Sequence, residues 1–339
     1  MAKETFTESM TVAKDPQDSK VAKPKTSFIG FIADKGIFVF TGILVLTAVL
    51  FVDGFASLQN VTDVFHRAAP IGIVALGMTF VVITGNYLDL SVVAQAAAAA
   101  GVILIAVSNA YNLIIAFAVA FVVAIIFALA NGIAVGYFKA NAVIVTLATT
   151  YIGLGLLRLL SGGSQVFGPP DGPIATFGTS KLGPFPYSAV VLVAVTLVLT
   201  FVLTRTNFGF MIRSFGVNSS ATRLAGTNTG LIVIGAFMVT SMAAMFAGFV
   251  LAAFSNTAVS NMATGFDFQA LAAIIVGGTS VFGGKGSVPR TLLGVVFVSI
   301  LSNVLVLVQV SYGFQQVAIG SLIVLAVTVD ALGRRVSKK

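Results

Sequence analysis

The residues of this sequence that could do chemistry concentrate at one break between two apolar runs. The run that begins at Ile71 stops at Thr84-Gly85-Asn86, and Asp89 opens the next run. Lipid offers no partner to a carboxylate, so an acid in such a sequence should face protein, water or a solute path. Two roles fit Asp89: it lines or gates a path, or it caps the following helix at a water interface, which is the interpretation we favour.

Other polar side chains extend this set of candidates. Thr84, Asn86 and Gln95 flank the break, and Asp267 and Gln269 precede a later apolar run. Their amide and carboxylate groups could hydrogen-bond the hydroxyls of a polar solute, or they could simply bond neighbouring helices. Both interpretations stay open at this point.

Five residues within apolar runs have a simpler explanation. Asn131, Asn303 and Gln309 are predicted to make interhelical hydrogen bonds inside their spans, each worth about 1 kcal/mol. Gly132 and Gly136 lie four residues apart on one helix face, which predicts close helix packing.

No catalytic, metal or cofactor site is predicted. The sequence has no Cys and a single His, His66, so neither a thiolate metal site nor a histidine cluster is expected. The run from Gly277 to Ser287 contains Gly284-Lys285, but Gly286 follows, and Thr279 stands where a phosphate-binding loop needs its first glycine. We interpret these glycines as a tight turn where backbones approach closely.

Composition indicates a membrane protein. Apolar residues make up 58% of the 339 residues and charged residues 9%, against about 45–50% and about 25% in ordinary globular chains. The 34 glycines suit helix packing in lipid. A net charge of +8 could suggest nucleic acid, but the positions of the basic residues favour a membrane topology, and no nucleic-acid partner is expected.

Apolar segments long enough to cross a bilayer, at about 20 residues each, recur ten times. The predicted spans are 36–56, 64–83, 90–107, 112–137, 142–160, 187–204, 229–254, 266–280, 288–310 and 315–332. The eighth is short and interrupted by glycine. The predicted fold class is an all-α polytopic membrane protein with about ten transmembrane helices in residues 36–332, between a polar cytosolic tail, 1–35, and a basic cytosolic tail, 333–339.

The basic residues predict the orientation of these spans. With the N-terminus in the cytoplasm, 16 of the 19 Lys and Arg residues fall on the cytoplasmic side, and the exceptions are Arg67, Arg158 and Lys181. An even number of spans returns the C-terminus to the same side. The sequence therefore predicts an N-in and C-in topology.

Two long loops connect the spans. The outer loop, 161–187, is rich in proline and glycine and is predicted to be an ordered loop, either a docking surface or a connector. The inner loop, 204–229, contains Asn218 or Ser219 as an N-cap and Gly226 as a left-handed helix end. A two-turn helix across the cytoplasmic face is expected between them.

Three motifs occur in order across roughly 300 residues. They lie at Gly77 to Ala94, at Gly216 to Gly226 and at Ala270 to Ser287. Together they resemble the permease subunits of sugar-type ABC importers, such as ribose, xylose and galactose permeases. The first motif departs from the family pattern: it is one residue longer over Thr84 to Asp89, and Val93-Ala94-Gln95 replaces Val-Gly-Ser. No particular sugar is therefore carried over.

The resemblance implies a coupling helix that docks into a separate ABC ATPase subunit, which binds the ATP. The residues that match it are Asn218, Ala221, Arg223, Leu224 and Gly226. A contact between Arg223 and a membrane phospholipid is the competing explanation. The resemblance further implies an external or periplasmic substrate-binding protein, a second permease in a homodimer or heterodimer, and a location in the bacterial cytoplasmic membrane. No covalent chemistry is expected of this chain, which is not predicted to be an enzyme.

Three alternatives remain beside import of a monosaccharide or related polyol by alternating access. A branched-chain amino acid permease would need groups for a charged α-ammonium and α-carboxylate, and buried charge is sparse in this sequence. An ion-coupled secondary transporter would need several intramembrane carboxylates, whereas Asp89 and Asp267 are the candidates. A structural scaffold would need no central polar break.

Overall fold

The structure, a computed structural model, describes residues 28–85 and 87–337, with side chains for residues 36–85, 87–328 and 331. The candidate Asn86, residues 1–27 of the predicted N-terminal tail, and the last two lysines of the C-terminal tail lie outside the described residues.

Helices dominate the described part of the chain. In chain order they are α1 (Phe28–Phe51), α2 (Leu58–Ile83), α3 (Val92–Ser108), α4 (Leu113–Gly136), α5 (Ala142–Leu160), α6 (Pro173–Thr179), α7 (Tyr187–Arg205), α8 (Asn207–Val217), α9 (Ser219–Leu224), α10 (Thr229–Ser255), α11 (Phe266–Val276), α12 (Val288–Leu307) and α13 (Tyr312–Ser337). Four two-residue strands complete the fold: β1 (Val166–Phe167), β2 (Lys181–Leu182), β3 (Phe185–Pro186) and β4 (Thr257–Ala258).

Each predicted span coincides with one apolar helix. Six of these helices are long and apolar enough to cross a membrane, namely α2, α4, α5, α7, α10 and α12. The other four have apolar stretches of 16, 17, 11 and 17 residues, at 36–51, 92–108, 266–276 and 312–328. The fold is therefore that of an all-α polytopic membrane protein.

Several boundaries differ from the prediction. Helix α1 begins at Phe28, within the predicted N-terminal tail, and α13 continues to Ser337, through most of the predicted C-terminal tail. The predicted inner loop 204–229 contains the additional helix α8 before α9. Chain polarity predicted the tails, but polar residues do not end a helix, and α1 and α13 continue through Gly30, Gly36 and Gly333, since a single glycine costs a helix only about 1 kcal/mol.

The eighth span is a half-length helix. Eleven residues rise about 16 Å, roughly half of the 30 Å hydrocarbon core. The prediction extended it to residue 280, but it ends at Val276, where Gly277-Gly278 follows and Gly278 adopts φ +84°. A left-handed glycine at this position ends a helix without steric cost.

Helices α2, α3 and α10 form the centre of the bundle. In the most apolar stretch of each helix, 83% of α2 residues and 61% of α10 residues are buried, against 22% in α4. Glycines let these helices approach: a Cβ on Gly77 would meet Thr240 Cα at 3.2 Å, and one on Gly248 would meet Ala99 Cβ at 2.8 Å. Such close contact supplies the van der Waals energy that holds helices together in lipid.

The predicted outer loop is ordered, as expected. Its strand β1 pairs with β4, the hairpin β2–β3 closes its second half, and α6 packs against the end of α10. Phe177 of α6 lies 4.8 Å from the ring of Phe249 in α10, and Ser108 at the end of α3 bonds the carbonyl of Phe167 at 2.6 Å. Ring contacts and backbone pairing therefore fix the loop across the ends of the central helices.

Candidate functional sites

The break between α2 and α3 holds a buried polar network centred on Asp89. The Asp89 side chain is wholly buried, and its Oδ1 accepts hydrogen bonds from the backbone N–H of Ser91, at 3.0 Å, and from the Ser91 hydroxyl. Its Oδ2 accepts from Gln95 Nε2 at 3.3 Å. All of these donors are neutral, so hydrogen bonds rather than a buried cation compensate the desolvated carboxylate.

Ser91 links this acid to two further helices. Its Oγ accepts from Gln95 Nε2 at 2.6 Å and from Asn131 Nδ2 of α4 at 2.8 Å. Asn131 Oδ1 in turn accepts from Thr149 Oγ1 of α5 at 2.9 Å, and Thr150 bonds the Leu90 carbonyl at 3.0 Å. The network therefore fixes the non-helical segment that connects α2 to α3 against α4 and α5.

The predicted cap is found only in part. The N-cap residue of α3 is Ser91, and its side chain makes no capping hydrogen bond. Asp89 lies two residues before Ser91 and accepts the N–H of Ser91 rather than an N–H of the first helical turn. Nor is Asp89 at a water interface, because its side chain has no exposed area. Thr84 ends α2, with its hydroxyl on the Val81 carbonyl at 2.5 Å. Gln95 Oε1 is buried without a hydrogen-bond partner.

Next to this network, at the end of α2, glycines from three segments of the chain are in contact. Gly284 N donates to the carbonyl oxygen of Ile83 at 2.8 Å, at the end of α2. A Cβ on Gly283 would lie 2.6 Å from Gly85 Cα, and one on Gly216 would lie 2.5 Å from Gly284 N and closer still to Ile83 O. We call these four glycines, 85, 216, 283 and 284, the glycine junction. The predicted close approach of backbones in the late glycine run is thereby confirmed.

The helix predicted in the inner loop is present with its caps. Asn218 Oδ1 accepts from Ala221 N at 2.9 Å, α9 runs to Leu224, and Gly226 adopts φ +81°. Of its residues only Thr222 is buried, while the Leu224 side chain is 87% exposed. An apolar side chain presented this openly, on a rigidly capped helix, is suited to docking.

Helix α8 anchors α9 to the bundle. Its N-cap is Thr206, which accepts from Gly209 N at 3.3 Å, and Phe208 stacks on Phe80 of α2 with ring centroids 6.4 Å apart. Gly216 is the next-to-last residue of α8 and lies two residues before the N-cap of α9. The glycine junction and the exposed helix are therefore parts of one rigid connection.

The remaining two candidates lie in the first turn of α11. Asp267 lies in the first turn of α11, where the positive end of the helix dipole favours an acid. Gln269 lies one turn after Gly265, the left-handed N-cap, and Gln269 Nε2 and Gln316 Nε2 of α13 are both within 4 Å of the position of the absent Gly265 Cβ. The hydrogen bonds found among the described residues do not join these groups to the Asp89 network, although Phe266 at the start of α11 packs with Val93 and Ala96 of α3.

Most predicted structural polar residues and glycines behave as expected. Asn303 exchanges hydrogen bonds with Asn60 of α2 at 2.8 and 3.1 Å, and Gly132 and Gly136 bring α4 against α10 at Ile234 and Gly230. Asn131 bonds across helices, also as predicted. The prediction for Gln309 is wrong, since α12 ends at Leu307 and Gln309 adopts φ +59° in the connection to α13.

Ser91 and Gln316 are the residues that sequence reasoning missed. Ser91 belongs to the same motif as Asp89, two residues on, and its hydroxyl was the available signal. Gln316 lies near the start of the last apolar run, where only the tertiary contact with α11 gives it a role.

A bundle of apolar helices around a buried non-helical polar segment defines the class of polytopic membrane transport proteins. Residues 60–329 match the family model described as branched-chain amino acid transport system / permease component, and the chain belongs to this family. It is the permease subunit of an ABC importer, a multi-pass protein of the bacterial inner membrane, and this is a transporter family rather than an enzyme family.

Relatives match almost from end to end. A probable ABC transporter permease protein, YphD, of Escherichia coli K12 is 34% identical, with 90% of this chain and 91% of the relative covered. The ribose import permease protein RbsC of Haemophilus influenzae is 27% identical over 88% and 94%, and the L-arabinose transport system permease protein AraH of E. coli K12 is 29% identical over 91% and 94%. No solved structure was found to match the chain.

The predicted resemblance to sugar-type ABC permeases is confirmed by these relatives. Membership of the family also implies, in general terms, an ATPase partner and a substrate-binding partner.

Proposed function

We propose that this chain is the subunit through which an ABC importer moves a monosaccharide or related polyol, by alternating access. The observation that carries the proposal is the end-to-end match to permeases named for ribose and L-arabinose. The family description names branched-chain amino acids, but the polar groups found within the described helices are mainly amides and hydroxyls. Such groups suit a neutral polyhydroxylated solute better than a zwitterion.

The coupling segment of this importer is α8–α9. ATP binding in a separate subunit moves α9, and Leu224 and Arg223 on its exposed surface provide the contact. Because Gly216 touches both Ile83 and Gly284, a displacement of α9 reaches the end of α2 and the loop before α12 directly. The Asp89 network follows that end of α2 in the chain, and its hydrogen bonds restrain how far the segment between α2 and α3 can be displaced.

The arrangement proposed in the membrane has ten spans, with both termini in the cytoplasm and the glycine junction at the cytoplasmic end. The three segments that form the junction were each assigned to that side: the connection after α2, the inner loop at the end of α8 and the connection after α11. Their mutual contact supports the assignment. Two ATPase sites need two docking surfaces, so a second permease, identical or homologous, completes the transporter.

The topology predicts which side of the membrane each loop faces. Because the chain has no Cys, a single thiol can be read without background. Arg223→Cys should react with a membrane-impermeant maleimide from the cytoplasmic side alone, and Lys181→Cys from the outside alone. Labelling of both positions from one side would contradict the ten-span topology.

The proposed transport function is tested with the complex purified in mild detergent from its native membrane. A co-purifying ABC ATPase is expected in stoichiometric amount. Reconstituted with its binding protein and ATP, the complex should take up D-ribose or L-arabinose and not leucine. Uptake of leucine would support the amino acid alternative, and uptake driven by an ion gradient without ATP would replace the proposal with a secondary transporter.

The role proposed for α9 gives a separate prediction. Leu224→Ala should lower ATPase co-purification at least about fivefold, on the order of 1 kcal/mol of binding energy, and leave the melting temperature of the permease nearly unchanged because the side chain is exposed. Leu182→Ala is the matched control, since Leu182 is 63% exposed on the outer loop. Equal retention of the ATPase by both variants would remove α9 from the interface.

A further inference from the structure

A group of three polar side chains lies where α11 begins. Gln269 belongs to the first turn of α11, and Tyr312 and Gln316 belong to the first turn and a half of α13, whereas Asp267 points about 200° around α11 from Gln269. Gln316 Nε2 donates to the Tyr312 hydroxyl, and the Gln269 and Gln316 amides converge on Gly265, at 3.5 and 3.8 Å from the position of its absent Cβ. We call these three residues the α11 cluster.

The start of α11, which carries Gln269, lies at membrane depth, whereas Tyr312 begins α13 near the outer end of α12, whose 20 residues rise about 30 Å. Ala263, two residues before Gly265, packs against Val93 and Ala96 in the first turns of α3. Ala96 is 12 residues, about 18 Å, from the other end of α3 at Ser108. The chain between β4 and α11 therefore descends from the outer loop into the hydrophobic region before the helix starts.

The opposite end of α11 agrees with this depth. A Cβ on Gly277 would lie 2.5 Å from the carbonyl oxygen of Arg290, in the first turn of α12, so α11 ends beside the start of α12. Its 11 residues rise only about 16 Å from there, and the first turn of α11 consequently stays inside the bilayer.

Side chains of the cluster are open rather than buried in the bundle. Gln269 and Gln316 are half-buried, and Tyr312 is 65% exposed. Two amides cannot face hydrocarbon without a cost of several kcal/mol, so we infer that this surface faces a water-filled path.

We propose that the α11 cluster is a binding site for the hydroxyl groups of the transported sugar. The amides offer donors and acceptors, and the Tyr312 ring offers an apolar face with a hydroxyl at its edge. Vicinal hydroxyls of a neutral sugar match this set, whereas a cation or an aliphatic side chain would leave the amides unpaired. The inference rests on the proposed function and names its substrate site.

The first test asks whether water reaches the α11 cluster and whether the transported sugar binds there. In the complete complex, Gln316→Cys should react from outside with a charged methanethiosulfonate, and D-ribose or L-arabinose, whichever is transported, should slow the reaction at least about threefold. Phe314→Cys is the control, because Phe314 is 71% exposed but about 200° around the helix from Tyr312. It should react slowly and without protection by sugar.

The second test separates binding from structure. Gln269→Ala should raise the KM for the transported sugar roughly tenfold while the maximal rate and the melting temperature change little. The control Gln59→Ala removes a glutamine whose amide bonds Asp63 at 3.1 Å at the start of α2, and it should leave KM unchanged.

The outcomes are distinguishable. A Gln316→Cys thiol that resists the charged reagent means that the surface faces lipid, and a reactive thiol that transported sugar does not protect means that the sugar binds elsewhere. Either result, or an unchanged KM in Gln269→Ala, overturns the α11 cluster as a sugar site while import stands. A complex that transports neither sugar overturns the proposed function itself.

Discussion

Gly216→Ala is expected to cost about 3 kcal/mol of folding free energy and to abolish transport. The added methyl group would meet the backbone at Ile83 and Gly284, and neither backbone can rotate away as a flexible side chain could. The loop before α12 would have to separate from the end of α2, and the connection to α9 would lose its contact. A thermal melt in detergent and reconstituted uptake measure the two losses.

A matched glycine keeps this experiment interpretable. Gly155 lies within α5 with nothing within 4 Å of its Cβ position, so Gly155→Ala should be neutral or stabilise the helix by up to about 1 kcal/mol. The expected melting-temperature difference between the two variants is roughly 5 °C or more. If Gly216→Ala melted and transported like Gly155→Ala, the glycine junction would not be a close contact in the working protein.

The second large effect is expected at Asp89. Asp89→Ala leaves the N–H and the hydroxyl of Ser91 without their acceptor and removes one of the two acceptors of the Gln95 amide, which keeps the Ser91 hydroxyl oxygen. At about 1–3 kcal/mol for each unsatisfied group, the sum is on the order of 5 kcal/mol, which is comparable with the stability of a whole domain. The measurement is the yield of folded protein and its melting temperature.

A charge swap tests whether the hydrogen-bond network, rather than the acid as such, is responsible. Asp89→Asn places an amide donor opposite the donor of Gln95, only 3.3 Å away, and should be clearly destabilising. Adding Gln95→Glu restores a donor–acceptor pair, so the double variant should recover part of the lost stability. If the double variant recovers stability but not transport, transport requires a carboxylate at position 89 itself. If stability does not recover at all, the hydrogen bond between residues 89 and 95 does not contribute to stability as described.

Much of this fold follows from the lengths of apolar runs and from local capping chemistry. Each predicted span overlaps an apolar helix, and six of these helices are long and apolar enough to cross a bilayer, which demands about 20 apolar residues per crossing. Helix α9 was predictable because Asn218 and Gly226 act on their own backbone neighbourhood. The family motifs added the permease class, which the relatives confirm.

The rest depends on contacts between distant segments, which local patterns do not carry. A close approach of backbones was predictable for the glycine run that contains Gly283, but its partners were not, and only the packed bundle shows that they are Gly85 and Gly216. The burial of Asp89 could not be predicted either. It depends on packing against α4, through Asn131 and Ser91, and not on the residues next to Asp89 in the sequence. The α11 cluster likewise joins residues almost 50 positions apart in the sequence.

The central position of α2 also has a consequence for biosynthesis. Its stretch is 83% buried, and the helix that covers it most extensively, α10, begins only at Thr229. At about 5–20 residues per second, the ribosome needs roughly 7–30 s to reach α10 after completing α2. During that interval α2, with Asp63, His66 and Arg67 near its start, has no finished protein groove to enter. We therefore expect chains that stop short of α10 to leave the apolar and polar surface of α2 without its main partner, and to be less stable in the membrane than the full chain.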